Sequence, residues 1–213
     1  MRYKLIIFDF DGTLADSFSW HLRVINDIAV KYRFRGIKEN EVETLRGYDA
    51  RKAIAYVGLS MWKLPLIQRH MRKRMRREIH QISLFPGVDR LLQALNAKGV
   101  ALAIVTSNSF ANVHRVLGPK NAALIQHYAC GASIFGKRAK LRKVLRTSGI
   151  RPDEALFISD EIRDLHESRE EKIPFGAVAW GFNSIDLLKR SSPDELFASI
   201  DKILPQLTTY EHR

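Results

Sequence analysis

The chain has 213 residues, 46% of them hydrophobic, enough for one substantial α/β domain or for a core domain carrying a smaller inserted one. Its 35 Lys and Arg against 23 Asp and Glu leave a net charge of +12 and a pI near 10.0, so the molecule draws anions of every kind, nucleic acid and phosphorylated metabolites alike. No apolar run approaches the ~18–20 residues of a membrane span, and Cys130, the only cysteine, excludes an intrachain disulfide and a cysteine zinc site. A soluble cytoplasmic protein without a membrane partner is expected, with Cys130 as a small buried hydrophobe.

Residues 4–8 form the first short apolar run, read as a buried parallel strand. The next such run is 101–105, followed by 155–159 and 175–180, with a weaker fifth strand at 125–129. Helical spacing separates them: Leu91, Leu92 and Leu95 within 88–98, Leu141, Val144 and Leu145 within 139–147, and a polar helix over 161–171. This alternation predicts a doubly wound, Rossmann-like parallel sheet. Residues 16–83 break it, holding several helical stretches, among them a long basic one over 62–80, and no convincing strand. The expected organisation is a core of 1–15 and 84–213 with an inserted all-helical cap over 16–83, closed by the turn Phe85-Pro86-Gly87. The polar tail 208–213 is expected to fray.

Three clusters of reactive side chains follow strand ends, the edge at which open parallel sheets bind ligands. The first is Asp9-Phe10-Asp11-Gly12-Thr13-Leu14. Two carboxylates at i and i+2 where a strand ends both reach the crevice, one suited to attack on phosphorus and the other to proton transfer; the same pattern also serves as a plain acidic turn. The second is Thr106-Ser107-Asn108, hydroxyl and amide groups before a helix, which either cradle an anion or cap that helix. The third is Asp160-Glu161-Ile162-Arg163-Asp164, where Asp160 and Asp164 at i and i+4 share one helix face and suit Mg²⁺, or else favour the helix dipole. Gly136-Lys137 supplies a cation to balance phosphate, with Lys140 as second choice.

Together these pieces resemble the haloacid dehalogenase superfamily, whose four motifs occur in this order at four strand ends, and within it the phosphoglycolate phosphatase-like group with a helical cap. The resemblance implies Asp9 as nucleophile, Asp11 as general acid and base, Thr106 with Ser107 as phosphate ligands and Lys137 as the charge-balancing lysine. It further implies Mg²⁺ held by Asp9, the backbone carbonyl of Asp11 and Asp160, with Asp164 in support. The implied activity is Mg²⁺-dependent hydrolysis of a small phosphate monoester, phosphoglycolate-like or another phosphorylated metabolite, through an aspartyl-phosphate. Ser159 stands where the family often has glycine, and this removes no reacting group. Asp11 separates the chain from the dehalogenase branch, which lacks the second aspartate.

Residues 15–83 hold 15 Lys and Arg against 7 Asp and Glu. Much of this charge lies in 69–77, read as a solvated helix or, more sharply, as an anion-attracting patch. Within Gly47-Tyr48-Asp49-Ala50-Arg51, Arg51 is the candidate for holding a second anionic group of the substrate, with Asp49 as a helix N-cap in the plainer reading. Two rival functions remain open at this level: a phosphomutase, and a nucleic-acid-binding protein on the same scaffold. Oligomeric state is not legible.

Overall fold

The computed structural model describes residues 1–132 and 136–209. Most of the expected frayed tail, residues 210–213, lies outside them. The chain opens with β1 (Leu5–Phe8) and β2 (Ala15–Asp16), then runs through four helices: α1 (Phe18–Tyr32), α2 (Val42–Arg46), α3 (Ala50–Tyr56) and α4 (Leu64–Glu78). It returns through β3 (Ser83–Leu84) into α5 (Val88–Ala97), β4 (Ala101–Val105), α6 (Phe110–Ala122), β5 (His127–Ala129) and α7 (Arg138–Ser148). The remainder is β6 (Ala155–Ser159), α8 (Ile162–Glu170), β7 (Phe175–Val178), α9 (Ile185–Arg190), β8 (Glu195–Phe197) and α10 (Ile200–Thr208).

Six strands form one parallel sheet in the order β5-β4-β1-β6-β7-β8. Strand β1 is central because its four residues are buried on both faces, and side-chain alternation splits them. Ile6 and Phe8 join the apolar cluster that includes Leu92, Leu95, Val113, Leu117, Ile203 and Leu207, under α5, α6 and α10. Leu5 and Ile7 join the opposite cluster with Leu141, Val144, Ile162, Leu165 and Leu188, under α7, α8 and α9. The result is the expected three-layer Rossmann-like architecture. After β5 the chain crosses back to β6 on the other side of β1, so the topological switch point falls at the C-terminal end of β1.

The four core runs and the weaker fifth all form strands; the first starts one residue later, at Leu5, the fifth starts two later, at His127, and one ends early. The run 175–180 stops at Val178, because Trp180 leaves the sheet and its indole N–H donates to the Thr13 carbonyl at 3.1 Å. The short edge strand β8 completes the sheet. The basic helix begins at Leu64 rather than Trp62, with Pro65 in its first turn, where its missing N–H costs no hydrogen bond. The helical segment is entered and left through an antiparallel pair, β2 with β3, matching Ala15 to Leu84 and Asp16 to Ser83. It carries an apolar cluster of its own, Ile28, Val57, Leu59 and Ile67, while Trp20, Val24, Met75 and Ile79 pack into the cluster over the sheet. Among the described residues no helix is long and apolar enough to cross a membrane.

Cys130 follows β5, half-buried, and burial pushes its thiol up to about 11 against a smaller opposing effect of Lys140. The thiolate is the reactive form. Alkylation by iodoacetamide at pH 7.5 should run at least about tenfold slower than for a free thiol, even after allowing for the greater nucleophilicity of a more basic thiolate. Rapid labelling of the folded protein would contradict this placement.

Candidate active site

The switch point gathers carboxylates from two strand ends, those of β1 and β6. Asp9 follows β1 directly, and its backbone N–H still donates to Ile158 of β6 at 2.9 Å. Its Oδ1 accepts the Phe10 N–H at 2.6 Å and its Oδ2 lies 2.7 Å from Lys137 Nζ. Lys137 precedes α7 and is buried, and the same ammonium lies 2.6 Å from Asp164 Oδ2. Ser159, at the end of β6, also donates to Asp164 Oδ2, at 2.5 Å. Asp160 accepts the Thr13 hydroxyl at 2.7 Å on Oδ1 and the Phe182 N–H at 2.6 Å on Oδ2. Sequence spacing placed Asp160 and Asp164 on one face; both are fully buried, each with different partners.

Backbone conformation makes this convergence possible. Gly12 adopts φ +77°, a left-handed geometry that favours glycine, and a Cβ there would run into Asp160 Oδ2 and the Phe182 ring. Gly181, after β7, is equally close to Asp160. The turn itself is held by the Phe10 carbonyl, which accepts from the N–H groups of Leu14 at 3.0 Å and Ala15 at 2.9 Å.

Electrostatics here are dominated by burial. Loss of water raises the Asp9 carboxyl well above its ordinary value, with Lys137 opposing and Asp164 and Asp160 reinforcing. Burial, then Glu161, pushes Asp160 up to about 7. For Lys137 burial acts to lower the pKa, and the carboxylates of Asp164 and Asp9 overcome it, so the ammonium is held charged. One cation thus serves two buried carboxylates.

Asp11 lies on the open side. Its Oδ2 accepts the Asn108 amide at 2.9 Å, and Asn108 also accepts from Ser109 N–H at 2.8 Å and Asn112 at 3.0 Å. Thr106 is buried, its hydroxyl accepting the Asn108 N–H at 3.0 Å, whereas Ser107 is exposed. Asp11, Ser107 and Asn108 line a small cavity of about 120 Å³ with His21 and Arg72 of the helical segment. Lys140 stays apart from the carboxylates and donates to the Thr106 carbonyl at 2.5 Å and to the Gly131 carbonyl.

Asp9, Asp11, Thr106, Ser107, Lys137, Asp160 and Asp164 are therefore brought together, and Arg51 is not. Arg51 is exposed, its guanidinium makes no hydrogen bond or ion pair among the described residues, and it lines neither this cavity nor its larger neighbour. Of the two arginines flanking the turn between α2 and α3 it is Arg46 that reaches the loop after β7, donating to the Gly181 carbonyl at 2.9 Å. Sequence reading also missed Thr13, Asn108 as the partner of Asp11, and Phe182. Thr13 and Asn108 stood inside the motifs, whereas a backbone N–H such as that of Phe182 has no residue-type signal. Of the basic run, Arg74 is engaged with Asp27 at 2.7 Å and Glu78 at 2.8 Å, and only Arg72 reaches the cavity beside Asp11.

Lys137→Met should leave Asp9 and Asp164 buried without their cation and lower stability by about 3 kcal/mol in metal-free buffer, since removing one partner of a buried pair exposes the full desolvation cost of the other. Urea unfolding measures it. A midpoint equal to that of the unmodified protein would mean the carboxylates shed their charge at no cost.

The haloacid dehalogenase-like hydrolase model matches residues 6–178. Phosphoglycolate phosphatase of Synechococcus elongatus is 30% identical over 206 residues, covering 96% of this chain and 97% of that protein. The crystal structure of a predicted phosphoglycolate phosphatase from Haemophilus somnus superposes with TM-score 0.77 at 24% identity, covering 98% and 99% of the two chains. That of CbbY from Rhodobacter sphaeroides in complex with phosphate gives 0.73 at 20% identity, covering 94% and 96%. By family model, relative and site order alike, the chain belongs to the haloacid dehalogenase-like hydrolases, in their phosphoglycolate phosphatase-like group.

Proposed function

We propose that this phosphatase hydrolyses a small phosphate monoester through an aspartyl-phosphate on Asp9. The observation that carries the reading is the position of Asp9: at the end of the central strand, its carboxylate 2.7 Å from a buried ammonium, with a second carboxyl, Asp11, on the open side. We assign residues 1–15 and 84–213 to the catalytic core and 16–83 to a cap.

The residues present fit a divalent cation. Asp9, Asp160 and Asp164 are three buried carboxylates beside one buried ammonium, and Oδ1 of both Asp164 and Asp11 is buried without a hydrogen-bond partner among the described residues. Among the described residues no three His, Cys, Asp or Glu side chains form a metal cluster by themselves. The fitting set is Asp9 and Asp160 with the backbone carbonyl of Asp11, supported by Asp164. Such a sparse set suits Mg²⁺, which keeps several waters. When bound, Mg²⁺ supplies positive charge to the phosphate oxygens.

In the first step a carboxylate oxygen of Asp9 forms a bond to phosphorus as the ester P–O bond breaks, and Asp11 gives its proton to the departing alkoxide. Lys137 holds the Asp9 carboxylate and offsets its charge. Thr106, Ser107 and neighbouring backbone N–H groups hold the phosphoryl oxygens. In the second step water attacks phosphorus, Asp11 takes the water proton, and inorganic phosphate leaves with the Asp9 carboxylate restored. Asn108 keeps Asp11 in place through both steps by its hydrogen bond to Oδ2.

Asp9→Asn should abolish turnover of a generic ester while preserving the fold, the amide being a poor nucleophile of nearly equal size. Asp11→Asn should cost roughly 10²–10⁴-fold in kcat, the range for a general acid–base group. Substantial hydrolysis by Asp9→Asn would reassign the nucleophile. Turnover should also require Mg²⁺, with Ca²⁺ a poor substitute because of its looser coordination; full activity after exhaustive chelation would remove the metal from the reading.

A further inference from the structure

Beside the small cavity over Asp11 lies a larger, half-open one of about 320 Å³, between α1, α2, α3, the start of α8 and the loop that follows β7. Its walls are mostly apolar, with Leu22, Ile25, Val42, Leu45, Ala53 and Phe182 among them. His21 and Met71 line both cavities, so the two share a wall. A cleft of this size has room for a ligand: engineered apolar cavities of about 150 Å³ already admit benzene, and ligand pockets begin near 300 Å³.

The polar groups around it are largely committed. Asn183 accepts the Ile162 N–H at 2.9 Å and donates to the Arg46 carbonyl at 3.2 Å and the Tyr48 carbonyl at 3.0 Å. Glu161 lies 3.3 Å from Arg163. Arg46 gives Nη1 to Glu43 at 2.9 Å and Nη2 to the Gly181 carbonyl at 2.9 Å, leaving its Nε–H buried with no hydrogen-bond partner among the described residues. A buried donor without an acceptor is costly unless a ligand supplies one. Walls of Leu, Ile and Val are poor company for a second carboxylate or phosphate, which would lose its hydration there.

We propose that the alcohol portion of the substrate carries an apolar body of ring size, seated in this cavity, with one hydrogen-bond acceptor for Arg46 Nε–H. The inference rests on the phosphatase reading above. It narrows the substrate to phosphate monoesters of bulky, largely apolar alcohols and sets aside compact esters that carry a second anionic group, such as 2-phosphoglycolate.

Ethyl phosphate, 2-phenylethyl phosphate and 2-phosphoglycolate, each assayed with the full chain and Mg²⁺, test it, the first two being esters of primary alcohols that differ in the apolar group. The phenyl ester should exceed ethyl phosphate in kcat/KM by at least about tenfold, the discrimination typical of a buried apolar group. It should also exceed 2-phosphoglycolate. Ala53→Phe, which fills the cavity, should bring the phenyl-to-ethyl ratio to about one; Val42→Met, a milder filling, should lower it in the same direction should the first variant fold poorly. A ratio near one in the unmodified protein, or preference for 2-phosphoglycolate, overturns the proposal while Asp9-dependent hydrolysis leaves the phosphatase reading standing. A tenfold ratio that both variants preserve also overturns it, by placing the apolar group elsewhere. Hydrolysis that survives Asp9→Asn overturns the mechanism and this inference together.

Discussion

Lys137 holds one ammonium between two carboxylates, 2.7 Å from Asp9 and 2.6 Å from Asp164, in a place from which water is excluded. Removing these groups from water costs several kcal/mol for each ion, and attraction offsets that only where geometry is tight and further hydrogen bonds complete it. Those further bonds come from Phe10 N–H to Asp9 and from Ser159 to Asp164. The three charged residues arrive from the ends of β1 and β6 and from the turn before α7. Their meeting therefore requires β1 and β6 in register, Phe8 beside Ile158, and α7 packed on the face that Leu141 and Val144 bury. The sheet acts as a jig for a charge arrangement that would be unstable on its own.

That dependence explains what could be read from sequence. Short apolar runs ending in Asp9, Thr106 and Asp160 are local signals, and strand topology brings such ends to one edge whatever the details of packing. Lys137 was legible only because phosphate beside several acids calls for a cation, and its burial decided it over Lys140, which instead ties the Thr106 and Gly131 carbonyls. Arg51 shows where local reasoning stops. Arg46 and Arg51 both flank the same short turn, and nothing in their spacing tells which guanidinium faces inward. The decision belongs to tertiary docking: the Arg46 carbonyl accepts from Ser184 N–H at 2.8 Å, fixing that residue against the core, while Arg51 lies on the exposed surface of α3. Strand β8 and the β2–β3 pair were missed for a related reason, being too short for a period-two pattern to register.

The charge of the helical segment divides in the same way. Composition alone gives a basic run, but its members have separate tasks. Arg74 binds α4 to Asp27 of α1, and Trp20 of α1 donates to Glu78 of α4 at 2.9 Å. This brace sets α4 so that Met75 accepts from Asn108 at 3.0 Å and Arg72 faces the cavity beside Asp11. A positive charge at that point draws phosphate toward the site and is screened by salt over about a Debye length, ~8–10 Å. Arg69, Lys73, Arg76 and Arg77 are exposed and add to the general positive field.

Two regions distant in sequence meet on the loop after β7. On one side, Phe182 N–H and the bare Cα of Gly181 fix and make room for Asp160. On the other, the Gly181 carbonyl accepts from Arg46, and Asn183 accepts from Ile162 while donating to the turn between α2 and α3. The Phe182 ring stands edge-on to Phe18, with centroids 5.2 Å apart, and forms part of the larger cavity. A few consecutive residues thus bear on the carboxylate cluster with their backbone and on the apolar cavity with their side chains. The hydrogen bond on Asp160 and one wall of the cavity are therefore set by the same short piece of chain, and a substitution that moved the loop would disturb both.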